Sequence, residues 1–184
     1  IIAQPKRIVA YAPKDGKILW SCEGLRGKRG DLAYSSPVII NDICVAIGGY
    51  QGPSLGVGLT KASADVERKY IWRKETNPQS IGTGVAIGDH IYRPNAGRPS
   101  HIDCLDPKTG EVVWSAPKGG GVSWGSIIAA KDNLLMVINQ KGVTTMFRAD
   151  PGQFTLVAEN QLIPKEDLED GCNSTPALSD GQIF

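Results

Sequence analysis

The chain has 184 residues, and its 41% hydrophobic content suffices to bury an ordinary core, so we interpret it as one domain. The 20 basic residues nearly balance the 19 acidic ones, and the net charge of +1 argues against nucleic acid or an anionic membrane as a partner. No apolar run reaches the roughly 18 to 20 residues of a membrane-spanning helix, so we predict no transmembrane segment.

The first predicted element is a pair of strands at Arg7–Trp20, R-I-V-A-Y-A-P-K-D-G-K-I-L-W. Its turn has a physical basis, because proline presets φ for the bend and glycine takes the left-handed conformation at the exit. A cluster of basic residues follows at Arg26, Lys28 and Arg29, with Gly27 and Gly30 between and after them. This basic cluster has two interpretations, a phosphate-binding loop or a solvated loop.

Further along the chain, a small hydroxyl residue opens an apolar strand four times. These residues are Ser36, Thr83, Ser126 and Thr175, and we call them the hydroxyl column. Their separations are 47, 43 and 49 residues. Each apolar strand is followed by a polar turn and a second apolar run. This pattern is typical of antiparallel strands joined by tight turns.

A second sequence pattern, a strand pair that ends in tryptophan, repeats with a similar period. The unit H-I-D-C-L-D-P-K-T-G-E-V-V-W at His101–Trp114 repeats the plan of Arg7–Trp20, and weaker copies end at Trp72 and around Ala158. Repeats of roughly 40 to 50 residues, each holding four short strands, predict an all-β fold, a β-propeller of four-stranded antiparallel blades. We expect a single propeller segment over 1–184, with blades near residues 7–21 (partial), 35–73, 82–115, 125–159 and 174–184 (partial).

The motif D-P-K-T-G-E-V-V-W and its partner P-K-D-G-K-I-L-W resemble the tryptophan-containing repeat of quinoprotein (PQQ-like) β-propellers. That family includes pyrroloquinoline-quinone dehydrogenases and the propeller lipoprotein of the outer-membrane assembly machinery. The resemblance implies a ring of seven or eight blades, of which about four are present, and an exported, periplasmic or cell-surface location. A closed four-bladed ring, in which the two partial blades combine, is the alternative.

Residues just before the innermost strands are expected to rim the central channel. The candidate binding residues there are Ser35, Gly82, Trp124, Asn173 and Ser174. Trp124 lies outside the register of the repeat tryptophans, and it is either a stacking platform at the channel mouth or a plain packing residue.

A second candidate site is the segment R-P-N-A-G-R-P-S-H, which contains Arg93, Asn95, Arg98 and His101. Two guanidinium groups and an imidazole are suited to binding an anion. The other interpretation is a surface hairpin with a proline-braced turn.

Two functions from different classes follow. The first is a non-catalytic binding or scaffolding propeller that engages a protein or polymer through its rim and channel, with no cofactor. The second is a fragment of a dehydrogenase that uses pyrroloquinoline quinone and calcium. The sequence lacks the adjacent cysteine pair often found in those enzymes, and we predict no catalytic or metal-binding residues. Three of the four cysteines lie in apolar or strand-like contexts, which favour core thiols, and one disulfide is the alternative if the protein is exported.

Overall fold

The computed structural model describes residues 1–28, 33–60, 66–76, 81–97, 102–117, 121–161, 164–168 and 170–184. The described residues are almost entirely strands and turns, with two short 3₁₀ helices at Lys131–Asn133 and Lys165–Asp167. They contain no helix that is long and apolar enough to cross a bilayer.

The strands form five antiparallel sheets in chain order, and we call these sheets blades 1 to 5. Blade 1 holds β1 (Ile2–Ala3), β2 (Arg7–Tyr11) and β3 (Ile18–Glu23). Blade 2 holds β4 (Val38–Ile40), β5 (Ile43–Ile47), β6 (Ser54–Gly58) and β7 (Trp72–Lys74). Blade 3 holds β8 (Val85–Ile87), β9 (His90–Pro94), β10 (Ile102–Leu105) and β11 (Val112–Ser115).

Blade 4 holds β12 (Ile128–Ala129), β13 (Leu134–Ile138), β14 (Val143–Arg148) and β15 (Thr155–Gln161), and blade 5 holds β16 (Leu178–Ser179) and β17 (Gln182–Ile183). Within each blade, each strand pairs with the next strand in sequence. The predicted all-β fold with four-stranded antiparallel blades is confirmed, while the size of the complete ring stays a prediction.

The apolar core lies between neighbouring blades rather than inside one sheet. Ile8 of blade 1 packs in one cluster with Leu55 of blade 2. Val45 of blade 2 packs with Leu105 of blade 3, and Tyr92 of blade 3 packs with Phe147 of blade 4. Strands in the middle of a blade are therefore covered on both faces, which explains the continuous apolar run of β13, L-L-M-V-I, in place of a strict alternation.

The repeat tryptophans join one blade to the next. Trp72 of blade 2 donates a 2.7 Å hydrogen bond from Nε1 to the carbonyl of Pro107, in the β10–β11 turn of blade 3. Trp114 of blade 3 donates in the same way to the carbonyl of Asp150 in blade 4, at 2.9 Å. The ring buries apolar area at the gap while its one polar atom is satisfied by the neighbouring turn.

Candidate functional site

All the connections between blades emerge at one end of the sheets. In an antiparallel sheet whose strands follow chain order, the first strand begins and the second strand ends at the same edge. The loops between second and third strands and the segments that link blades therefore share one surface. We call this surface the loop face, and its described parts include residues 24–28, 33–37, 48–53, 75–76, 81–84, 95–97, 121–127, 139–142 and 170–177.

The predicted rim residues have different surroundings on this face. Ser35 is buried, and its hydroxyl donates a 2.6 Å hydrogen bond to the carbonyl of Ile47. Gly82 is also buried, and it lies so close to the next linking segment that a Cβ there would overlap the carbonyl of Gly125. Both residues thus have a packing role where the innermost strands approach each other.

The two remaining polar candidates are open to solvent. Asn173 and Ser174 are exposed, and the carbonyl of Ser174 abuts Gly125 of the preceding linking segment. Ligand binding by the predicted rim residues, Trp124 included, stays a prediction.

Trp124 belongs to an aromatic cluster at the loop face. Its ring lies 5.9 Å from that of Tyr50, which in turn lies 5.6 Å from the ring of Tyr34 in an edge-to-face arrangement. Tyr34 is 53% exposed, whereas Nε1 of Trp124 is buried and has no hydrogen-bond partner among the described residues. We call Tyr34, Tyr50 and Trp124 the aromatic cluster.

Sequence reasoning missed both tyrosines of this cluster. Tyr34 stands two residues before Ser36, as Trp124 stands two residues before Ser126, so the hydroxyl column did contain a signal for it. Tyr50 comes from the β5–β6 loop and gave no such signal.

The loop that carries Tyr50 is held closed by its backbone. The N–H of Gly52 donates to the carbonyl of Gly49, and that of Gly48 donates to the carbonyl of Pro53, both at 2.9 Å. The two residues between the glycines, Tyr50 and Gln51, have positive φ values of 49° and 65°. Two positive φ angles define a type I′ turn, a shape that Asn-Gly or Gly-Gly adopts with far less strain than Tyr-Gln.

Gln51 faces a cleft beside the aromatic cluster. This cleft of about 330 Å³ is lined by Arg26, Gly27, Lys28, Gln51, Glu75 and Thr76. Arg73 links two sides of the cleft. Its Nε donates to the carbonyl of Gly24 at 2.7 Å, and its guanidinium group forms an ion pair with Glu75. Arg26 and Lys28 of the basic cluster noted in the sequence line this cleft, and Arg29 lies outside the described residues.

The predicted anion site divides between a buried network and residues outside the described part of the chain. Arg93 is 4% exposed and donates from Nε and Nη2 to one carboxylate oxygen of Asp103, at 3.1 and 3.0 Å. Asn95 and Ser115 donate to the same carboxylate, at 3.1 and 2.6 Å. Burial lowers the pKa of Arg93, and the carboxylate of Asp103 opposes that shift.

These contacts engage Arg93 and Asn95 within blade 3, where they brace the start of the β9–β10 loop. Arg98 and His101 lie outside the described residues, so anion binding by this segment stays a prediction.

A metal site would need several oxygen, nitrogen or sulfur donors that converge on one point. Among the described ranges, no three His, Cys, Asp or Glu side chains converge as metal ligands. The deeply buried carboxylate of Asp103 is occupied by Arg93, Asn95 and Ser115, so its oxygens do not fit a calcium ligand set.

All four cysteines are buried free thiols. Burial raises the pKa of Cys22, Cys44 and Cys104 from 9.0 to about 11. Because the thiolate is the reactive form, these three groups act as small apolar core residues and not as nucleophiles at neutral pH.

Comparisons with known proteins agree with this architecture. Over 98% of its length, the chain superposes on the crystal structure of BamB from Moraxella catarrhalis with a TM-score of 0.64 and 15% identity. It also superposes on the computationally designed Ika8 protein over 99% of its length, with a TM-score of 0.63 and 9% identity. The chain covers 56% and 50% of those two proteins, and at such identities the likeness shows the fold alone.

Two sequence comparisons bear on the family. The chain is 27% identical over 100 residues to quinoprotein ethanol dehydrogenase from Pseudomonas putida, a stretch that covers 54% of this chain and 16% of the enzyme. A family model described as outer membrane protein assembly factor BamB matches residues 1–116, well over half of the chain. With the repeat tryptophans and the antiparallel blades in place, the chain belongs to this family of PQQ-like β-propellers.

Proposed function

We propose that the chain is part of a non-catalytic propeller that binds or scaffolds a protein or polymer partner through its loop face. The observation that carries the proposal is the aromatic cluster, in which three separate connections bring Tyr34, Tyr50 and Trp124 together. Tyr and Trp are enriched among the residues that dominate binding energy at interfaces, because they offer large contact areas at a low cost in side-chain entropy.

The family description supports the setting. A family described as an outer membrane protein assembly factor favours a partner from that assembly process, and it favours a periplasmic or cell-surface location. The exposed Asn173 and Ser174 would extend the contact along the same face toward blade 5.

The test is site-specific photo-cross-linking in cells that produce the protein. A photoreactive phenylalanine analogue replaces Tyr34 on the loop face or, as a control, Lys108 in the β10–β11 turn at the opposite end of blade 3. We expect a discrete adduct from position 34 and none from position 108. Equal labelling from both positions, or no adduct from either, would overturn the proposal.

A second candidate function is a dehydrogenase that uses pyrroloquinoline quinone and calcium, favoured by the similarity to quinoprotein ethanol dehydrogenase over 100 residues. Calorimetric titration of the full-length protein with the quinone plus calcium tests it. Saturable, calcium-dependent binding at micromolar affinity would support the enzyme over the scaffold. Absence of binding to the folded protein would leave this candidate without its cofactor.

A further inference from the structure

The strained turn at Tyr50 and Gln51 joins two surfaces that differ in chemistry. Tyr50 contributes its ring to the aromatic cluster, while its neighbour Gln51 lines the basic cleft. Both residues occupy left-handed backbone conformations that glycine or asparagine would adopt more easily. Strain of this kind persists where the surrounding structure holds it, and such outliers cluster at binding sites.

The cleft has a positive balance of charge among the described residues. Arg26 and Lys28 line it, Arg73 braces it, and Glu75 is the carboxylate in its wall. Glu75 is ion-paired with Arg73, so its charge is compensated within blade 2. A ligand with carboxylates therefore complements the cleft, and guanidinium and amide groups can bind those carboxylates through charge-assisted hydrogen bonds.

The aromatic cluster indicates what the rest of the ligand is. Its rings are tilted by 42° and 64° to their neighbours, and Trp124 is only partly exposed, so they form an uneven apolar contact instead of a flat open platform. A sugar ring stacks best on a flat exposed face. A peptide side chain such as proline, leucine or an aromatic residue fills an uneven pocket well.

We propose that the Tyr50–Gln51 turn is the specificity-determining element of an acidic-peptide site, with ligand carboxylates in the Arg26–Lys28 cleft and an adjacent apolar side chain against the aromatic cluster. This inference rests on the proposed function and names the class of partner for the loop face. Because Tyr50 belongs to the cluster and Gln51 lines the cleft, a short extended peptide reaches both surfaces.

The experiment begins with selection of a random dodecapeptide phage library on the immobilised chain. Enriched peptides are then synthesised, and their affinities are measured by fluorescence anisotropy. The main variant is the double substitution Tyr50→Asn and Gln51→Gly, which suits the turn better and so offsets, through relieved backbone strain, the loss of the Tyr50 ring contacts. Its melting temperature is measured beside that of the unmodified chain, so that lost binding is separated from unfolding. Lys28→Glu inverts the charge of the cleft, and Lys17→Glu, in the exposed β2–β3 turn, is its matched control.

Enrichment of acidic peptides with an apolar residue is the expected result. Their affinity should fall about tenfold or more in the turn variant and in Lys28→Glu, stay unchanged in Lys17→Glu, and weaken with salt. Peptides that lack acidic residues, or that bind the turn variant equally well, would overturn this inference and leave the binding propeller intact.

Two further outcomes separate this inference from the proposed function. An acidic oligosaccharide, tested in parallel, that binds where no peptide does would also overturn the inference, since the partner would be a glycan. If neither probe binds and Tyr34 gives no cross-link, both the inference and the proposed function fail.

Discussion

The backbone N–H of Thr83, at the start of blade 3, donates a 2.9 Å hydrogen bond to the hydroxyl oxygen of Ser126, at the start of blade 4. The same bond links Ser36 to Thr83 and Ser126 to Thr175, each at 2.9 Å. The hydroxyl column seen in the sequence is thus a chain of contacts between the first strands of successive blades, in which Thr83 and Ser126 each accept from the preceding blade and donate to the following one.

Substitution Ser126→Ala removes one acceptor from this chain of contacts. We expect a loss of about 1 kcal/mol in the free energy of unfolding, the usual net value of one hydrogen bond. Urea unfolding followed by circular dichroism measures it. Ser179→Ala, at an exposed serine with no such bond, is the control, and equal stabilities for the two variants would contradict the assignment.

Substitution Gly110→Ala tests the contact between the repeat tryptophan and the next blade. A Cβ at position 110 would lie 2.5 Å from the Trp72 ring, and φ is +71°. Gly16 is the matched control, because it occupies the equivalent turn of blade 1 with the same φ and open space around it. We expect Gly16→Ala to cost about 1 kcal/mol from backbone strain, and Gly110→Ala to cost about 1 to 3 kcal/mol more from overpacking. Thermal unfolding that ranks the two equally would refute the contact.

Substitution Asp103→Asn probes the buried network of blade 3. It takes the carboxylate away from Arg93 in a site where both side chains are at most 5% exposed, and we expect a loss of about 3 kcal/mol. Asp15→Asn removes one partner of the exposed Lys17–Asp15 pair and should change stability by less than about 1 kcal/mol. Denaturant midpoints that differ little between the two variants would argue against a buried pair.

The three thiols with raised pKa predict how stability depends on pH. Their pKa rises from 9.0 to about 11 on folding, so the unfolded chain loses these protons first as pH rises. The stabilisation is full below about pH 9 and is lost between 9 and 11. Denaturant midpoints across this range measure the decline, and alanine at Cys22, Cys44 and Cys104 should make it shallower, while Tyr92, whose pKa burial also raises, keeps part of it. A flat profile in the unmodified chain would show that the thiols are not shielded by burial.

Much of the fold could be predicted because each blade repeats the same local chemistry. Proline and glycine mark the β10–β11 turn, Trp114 marks the last strand, and Ser126 marks the next innermost strand. The pairing of Arg93 with Asp103 depends on the register of β9 against β10, which places these residues opposite each other. Sequence reasoning assigned Arg93 to a surface site because it did not consider that register.

The candidate site was less predictable than the blades. Trp124 was identified because it broke the repeat, but its contact with Tyr50 joins segments from two blades that are not adjacent in the chain. The repeat period of the sequence does not predict a contact of this kind. The left-handed backbone of Tyr50 and Gln51 was also hidden, because these residue types do not ordinarily indicate a type I′ turn.

Two repeated sets of bonds between successive blades share one polarity. Trp72 and Trp114 donate forward along the chain, and so do the N–H groups of Ser36, Thr83 and Ser126. Because these two sets recur with the same polarity from blade 2 onward, a duplicated blade would find matching donors and acceptors in its neighbours. A gene encoding such a unit can lengthen by whole repeats without new interface chemistry, and the number of blades is then limited by the curvature at which the ring closes.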